Sequence, residues 1–182
     1  MDEAGKEPTV SQNRATQAGP DETQDRLTSA LRILQRRRGH RAATDDTLLA
    51  WAAAAARPDA LRVLDLGSGK GTVAMLLLQR LPGCRVVGVE AEAVNHDLAL
   101  RNRLLNGLSA RWTPRLGDLR DSALLAGEAP FDLIAGAPPF MPVGSGPLPK
   151  DPQRAAGRFE LRGGVGDYVS TAARHLGPQG AV

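Results

Sequence analysis

The segment Leu61-Arg62-Val63-Leu64-Asp65-Leu66-Gly67-Ser68-Gly69-Lys70-Gly71-Thr72 constrains this chain more than any other. A largely apolar run closes on three glycines at alternate positions, and a helical pattern follows from Thr72 to Leu81. That order predicts strand, tight turn, helix. Without a Cβ, Gly67, Gly69 and Gly71 admit backbone angles that other residues resist and let a ligand approach the main chain. The turn opens on a helix N-terminus, where free N–H groups and the helix dipole favour negative groups. A small polar cofactor suits such a turn; simple packing of helix on strand is the plain alternative.

Three cofactors compete for it. A P-loop for ATP requires glycine where Leu64 stands and Ser or Thr where Gly71 stands, so it fails twice. A dinucleotide fingerprint requires a third glycine where Thr72 stands, although Glu90, closing Val86-Val87-Gly88-Val89, fits the ribose carboxylate. The third is S-adenosylmethionine: Asp65-x-Gly67-x-Gly69-x-Gly71 resembles the first motif of Rossmann-like methyltransferases. The resemblance implies that the turn holds the methionine part and the acid ending the second strand holds the ribose hydroxyls.

At 182 residues and 42% hydrophobic content the chain suits one globular domain with a substantial core. A net charge of +3 and a pI near 9.6 permit a polyanionic partner. The single cysteine, Cys84, allows no internal disulfide and no Cys-rich zinc site, which points to a reducing compartment, the cytoplasm; that no metal is used is an expectation of the direct methyl transfer that the methyltransferase resemblance implies. No apolar run approaches the roughly 20 residues that span a membrane.

Residues 1–24 are polar without apolar period and read as a disordered tail, leaving 25–182 as the folded domain. Arg32-Ile33-Leu34-Gln35 suits helix or short strand equally. The cluster Arg36, Arg37, Arg38, His40 and Arg41 reads as a solvated turn or as phosphate contacts beside the cofactor mouth. Thr44 or Asp45 starts a helix that Arg57-Pro58 stops. After the glycine turn come a strand over Arg85–Glu90, a helix over Ala93–Leu105 ended by Asn106-Gly107, a weak strand over Arg111–Leu116, a helix or turn at Ser122–Leu125 and a strand over Phe131–Ala135. Met141–Arg158 reads as loop, Gly164–Leu176 as helix and Gly177–Gly180 as turn. Alternation of strands with helices predicts an α/β fold with a mostly parallel sheet. Ligands bind such sheets at the carboxyl ends of strands, where Asp65, Glu90, Asp118 and Pro138 all fall.

Gly39-His40-Arg41-x-x-x-Asp45-x-x-Leu48-Leu49-Ala50, Asn102-x-x-x-Asn106-Gly107, Gly117-Asp118-Leu119 and Ala137-Pro138-Pro139-Phe140 join the glycine turn in resembling one family. It is the tRNA adenine-N6 methyltransferases acting on an anticodon-adjacent adenosine of a valine tRNA. The likeness runs from about Arg32 to Val182 and implies a Rossmann-like methyltransferase fold, S-adenosylmethionine and an RNA substrate. It implies that Gly67, Gly69 and Gly71 hold the methionine part with help from Asp65. Glu90 takes the ribose hydroxyls, Asp118 the adenine amine and Leu119 the adenine ring, while Gly39, Arg41 and Asp45 close the site. Asp45 as a helix cap, Asp118 as a turn brace, and Asn102 and Asn106 as structural residues are the plain alternatives.

Two departures from the family pattern matter. Families that methylate planar nitrogens carry Asn-Pro-Pro-aromatic, in which the Asn oxygen and a Pro carbonyl accept the amine hydrogens and the aromatic ring stacks. Here Ala137 replaces the Asn, while Pro138, Pro139 and Phe140 remain. Methylation of rRNA guanine N2 or of a protein glutamine, and a catalytically weakened binding module, are the alternatives that this leaves. The chain also stops at Gly180-Ala181-Val182, where the family begins its fifth strand. The expectation is a C-terminally truncated sheet with Phe131–Ala135 as its edge, open to oligomerisation.

Overall fold

The computed structural model describes residues 15–182. Two strands, β1 (Glu22–Arg26) and β2 (Arg32–Arg36), pair antiparallel from Glu22↔Arg36 to Arg26↔Arg32. The short segment at Arg32 is therefore strand, and order begins before the expected boundary at Gln24. Residues 1–14 of the expected tail lie outside the described residues. The cause of the earlier order is Arg101. Its guanidinium meets both carboxylate oxygens of Glu22 at 2.7 Å and donates to the carbonyls of Ala15 and Gln17. The Glu22 carboxyl is held below its usual range, first by that bond.

The helix α1 (Thr44–Ala56) follows, started by the Asp46 carboxylate accepting from the Ala43 N–H at 3.0 Å. The cap thus comes from Asp46 rather than from Thr44 or Asp45. Next are β3 (Arg62–Leu66), α2 (Thr72–Arg80), β4 (Arg85–Glu90), α3 (Ala93–Leu105), β5 (Trp112–Leu116) and β6 (Phe131–Gly136). The chain ends in α4 (Pro152–Ala156), α5 (Val165–His175) and β7 (Leu176–Ala181). The main sheet is parallel, in the order β5-β4-β3-β6-β7.

Its central strands are buried on both faces, which is why they read as near-continuous apolar runs. Val63, Val86, Leu133 and Ala135 pack with α1, α2 and Ala99 of α3 on one face. Leu64, Leu66, Val89 and Ile134 pack with Leu119, Leu125 and Ala172 on the other. Asp132 sets the start of β3 beside β6, accepting from the N–H groups of Leu61 and Arg62 at 2.9 and 2.8 Å. The hairpin docks on α3 through two asparagines. Asn102 accepts from the Leu34 N–H and donates to the Leu34 carbonyl, and Asn106 does the same for Arg32. Each amide replaces a missing strand neighbour, so the open edge of β2 is satisfied.

At the C-terminal end the structure corrects two expectations. Gly177–Gly180 is strand rather than turn, and β6 is not an edge, because β7 pairs with it from Phe131↔Leu176 to Leu133↔Ala181 with an irregularity between. The glycines mark a close approach. A Cβ on Gly177 or Gly180 would lie 3.2 or 3.0 Å from the Phe131 carbonyl oxygen. Among the described residues no helix is long and apolar enough to cross a membrane.

Candidate functional site

The chain leaves β3 toward one side of the sheet and β6 toward the other, and a crevice opens at their carboxyl ends. A cavity of about 300 Å³ lies there, at the low end of small-molecule sites. Asp65, Gly67 and Gly69 from the first turn line it, with Glu90 at the end of β4, Asp118 and Leu119 after β5, and Ala137, Pro138, Pro139 and Phe140 after β6. Asp45, exposed in the first turn of α1, reaches its wall.

Three expected residues stand elsewhere. Gly71 (φ 90°) starts α2 under the ring of Trp112, which would lie 1.9 Å from a Cβ there. Gly39 makes room for Gln153, whose Oε1 would lie 1.9 Å from its Cβ. Arg41 binds Asp25 at 2.8 Å, the Arg36 carbonyl at 2.9 Å and Thr23 at 3.1 Å, which locks the hairpin to the start of α1. Gly39 and Arg41 instead line a neighbouring basic cavity of about 490 Å³, with Arg37, Arg38, Lys150, Asp151 and Arg154.

The glycine turn is braced by Glu90. One of its oxygens accepts from the Gly69 N–H at 2.8 Å and the other from the Glu92 N–H at 2.6 Å. Burial raises its pKa, opposed by those two N–H groups. Gly69 has φ +56° and nothing within 4 Å of where a Cβ would stand, so its open side faces the cavity. Asp65 is 2% exposed, its Oδ2 lacks a hydrogen-bond partner, and burial, with Asp46 adding repulsion, pushes its pKa up to about 8. Asp118 is partly exposed and pairs with Arg120, which holds its carboxyl below the usual range.

Several lining residues escaped the sequence reading. Lys70 lies within the motif itself, yet nothing in the motif marks its side chain for burial. Tyr168 from α5 packs its hydroxyl on Gly67, and Gln153 of α4 closes one side. Gln153 accepts from the His40 N–H at 2.9 Å and donates to Asn95 Oδ1. Nothing local in the sequence signals either contact, because each joins segments far apart in the chain. The stretch expected as loop is a strap over the cavity. Met141 pairs with Phe159 as an isolated bridge, and Asp151 caps the short α4. Among the described residues no group of three or more His, Cys, Asp and Glu side chains is placed to hold a metal ion.

The chain is similar to methyltransferases of known sequence and structure. A tRNA1(Val) (adenine(37)-N6)-methyltransferase from Porphyromonas gingivalis is 37% identical over 77% of this chain and 56% of its own length. A release factor glutamine methyltransferase from Chlorobaculum tepidum is 36% identical over 46% of this chain and 29% of its own. This chain therefore spans little more than half the length of the first relative. An S-adenosylmethionine-dependent methyltransferase structure from Agrobacterium tumefaciens has the same fold, with a TM-score of 0.58 at 16% identity over 90% of this chain and 51% of that one. The model of the methyltransferase small domain matches residues 46–145, more than half of the sequence and most of the cavity wall, and the chain belongs to that family.

Proposed function

We propose that this chain is an S-adenosylmethionine-dependent N-methyltransferase acting in the cytoplasm on the N6 amine of a tRNA adenine. The carrying observation is that one cavity joins the glycine turn, a buried acid at the end of β4 and the Pro-Pro-Phe turn at the end of β6. The residues fit the cofactor on three counts: the unpaired oxygen of Asp65, the open side of Gly69 and the buried carboxylate of Glu90. Gly67, Gly69 and Asp65 would hold its methionine part, Glu90 its ribose, and Asp118 and Leu119 its adenine, while Asp45 closes the side toward α1. Gly71, Gly39 and Arg41 act from outside the cavity by packing α2, the strap and the hairpin. When bound, the cofactor supplies an electrophilic methyl group.

The chain itself contributes position. The Pro138 carbonyl accepts one hydrogen of the target amine and so orients the nitrogen lone pair. Phe140, 74% exposed on the rim, offers a face for a planar base. Ala137 offers no side-chain acceptor for the second hydrogen, so the amine is oriented less firmly than by an Asn-Pro-Pro turn. An RNA partner is favoured over a glutamine side chain by the neighbouring basic cavity. Four of its side chains are cationic, Arg37, Arg38, Lys150 and Arg154, beyond the paired Arg41. Its one acid, Asp151, is engaged by Arg36 at 3.2 Å.

Labelled-methyl transfer to tRNA, rRNA and protein, followed by nucleoside and amino-acid analysis, tests this. Label in N6-methyladenosine of tRNA is expected; label in N2-methylguanosine or in methylglutamine reassigns the substrate. Binding to tRNA should fall steeply with salt as counterions are released, and less steeply after charge reversal at Arg37 and Arg38. A flat salt dependence excludes phosphate recognition by this surface.

A further inference from the structure

Two ionisable side chains lie at the ends of the glycine turn, deep in the cavity wall. Asp65 is 2% exposed and Lys70 is 4% exposed. They do not pair with each other. Asp65 Oδ2 has no partner, and among the described residues the Lys70 side chain makes no ion pair or hydrogen bond; its backbone carbonyl is what Asn102 holds. The nearby acids are engaged elsewhere, Glu90 on two backbone N–H groups and Asp46 on the Ala43 N–H. An unpaired buried charge is costly, so both groups are pushed toward their neutral forms, each with a pKa near 8, and burial is the first cause in both. Neither has a hydrogen-bonded counter-ion; Asp46 and Glu90 favour the charged Lys70 only through space, and burial outweighs them.

A zwitterion supplies both counter-ions at once. The rest of the wall is rich in acid, with Asp45, Asp46, Glu90, Glu92 and Asp118. Such a wall suits hydroxyls and cations and repels a carboxylate. A ligand carboxylate at the glycine turn therefore needs a local cation. Arg162 lines the same cavity but is exposed, whereas Lys70 lies inside the turn. We infer that Lys70 binds the carboxylate of the methyl donor's amino-acid end, opposite an ammonium facing Asp65, so that the site selects a nucleoside carrying a zwitterionic amino acid. The inference rests on the cofactor reading above and adds the residue that recognises this end of the molecule.

Calorimetry on the full chain with S-adenosylmethionine and with its decarboxylated counterpart, which lacks only the carboxylate, tests it. The unaltered chain should prefer the carboxylated compound by about 10-fold or more, the effect of one charge-assisted contact. Lys70→Met should abolish that preference while holding affinity for the decarboxylated compound within a few-fold. Lys70→Arg, which retains the charge, should keep the preference, and so should Arg162→Met. Equal affinity of the unaltered chain for the two compounds overturns the proposal without any variant. So does a preference that survives Lys70→Met or is lost in Arg162→Met. Binding of neither compound to the unaltered chain overturns the cofactor reading itself, a different result from equal binding of both.

Discussion

The two walls of the cavity are built differently. The wall from Asp65 to Glu90 belongs to the sheet, with Asp65, Ser68, Lys70 and Glu90 all buried and the turn braced by a carboxylate. The opposite wall, from Ala137 to Gly164, leaves Phe140 exposed and is tied down by a few contacts. These are Gln153 to His40 and Asn95, Arg36 to Asp151, and the bridge of Met141 to Phe159. The first wall is fixed before a ligand arrives. The second is a surface segment of the kind that adapts to different substrates on one scaffold. Single changes on the second wall are therefore expected to act on substrate binding and transfer, and single changes on the first wall on cofactor affinity.

The largest effect is expected from the fixed wall. Glu90→Ala removes a carboxylate that holds two backbone N–H groups and faces the cavity. Cofactor affinity should drop by about 1.5–3 kcal/mol, the value of a charge-assisted hydrogen bond. Titration calorimetry reads this directly, and unchanged affinity removes Glu90 from the site.

On the second wall, Ala137→Asn restores a side-chain acceptor beside Pro138. Methyl transfer to tRNA should rise by as much as about 10²-fold if the contact acts mainly in the transition state. Phe140→Ala should weaken substrate binding through lost stacking of about 1–3 kcal/mol. Cofactor affinity should stay constant in both, which is what separates the walls. If both changes are silent in transfer, this turn does not hold the target amine.

The same contrast decides what the sequence revealed. The glycine turn, Asp65 and Glu90 were legible because strand, turn, helix and acid follow one another within thirty residues. Each is dictated by local geometry. Lys70 shows the limit of that method: its type was visible, but its burial in the cavity wall is a property of the folded chain that no local pattern encodes. Tyr168, Gln153 and Asn95 reach the cavity through contacts between distant segments, which no local pattern encodes. Gly71 and Arg41 were assigned to the ligand from motif membership, whereas packing against Trp112 and the bond to Asp25 account for them. The last strand was hidden by composition, because Gly177-Pro178-Gln179-Gly180 has turn chemistry and becomes an edge strand only beside β6.

A smaller effect tests the strap. Gln153 is 3% exposed and joins the chain near His40 to Asn95 on α3. Gln153→Ala leaves the His40 N–H without that acceptor, a cost of about 1–3 kcal/mol if water cannot replace it. Because the strap is local, the loss should appear as faster amide exchange over residues 150–160, with the β3 and β4 amides unchanged. Uniform acceleration across the sheet would show that the two walls unfold as one unit.

The smallest expected effect is the pH dependence of the ligand-free protein, small because Asp65 and Lys70 act in opposite directions. The Asp65 pKa is raised to about 8, so between its ordinary value and pH 8 the folded state binds more protons than the unfolded chain, and stability falls as pH rises. The Lys70 pKa is lowered to about 8, so above pH 8 the unfolded chain binds more protons and stability rises again toward the ordinary lysine value. His40, lowered by burial, acts below this range, while Cys84 and Tyr168, raised by burial, act mainly above it. Between pH 7 and 8.5 the stability curve should pass through a shallow minimum near pH 8, with a depth below about 1 kcal/mol. Asp65→Asn removes the falling limb and leaves the rise. Denaturant titrations at half-unit pH steps resolve this, and a flat curve between pH 7 and 8.5 in the unaltered protein would mean that the two side chains already neutralise each other before any ligand binds.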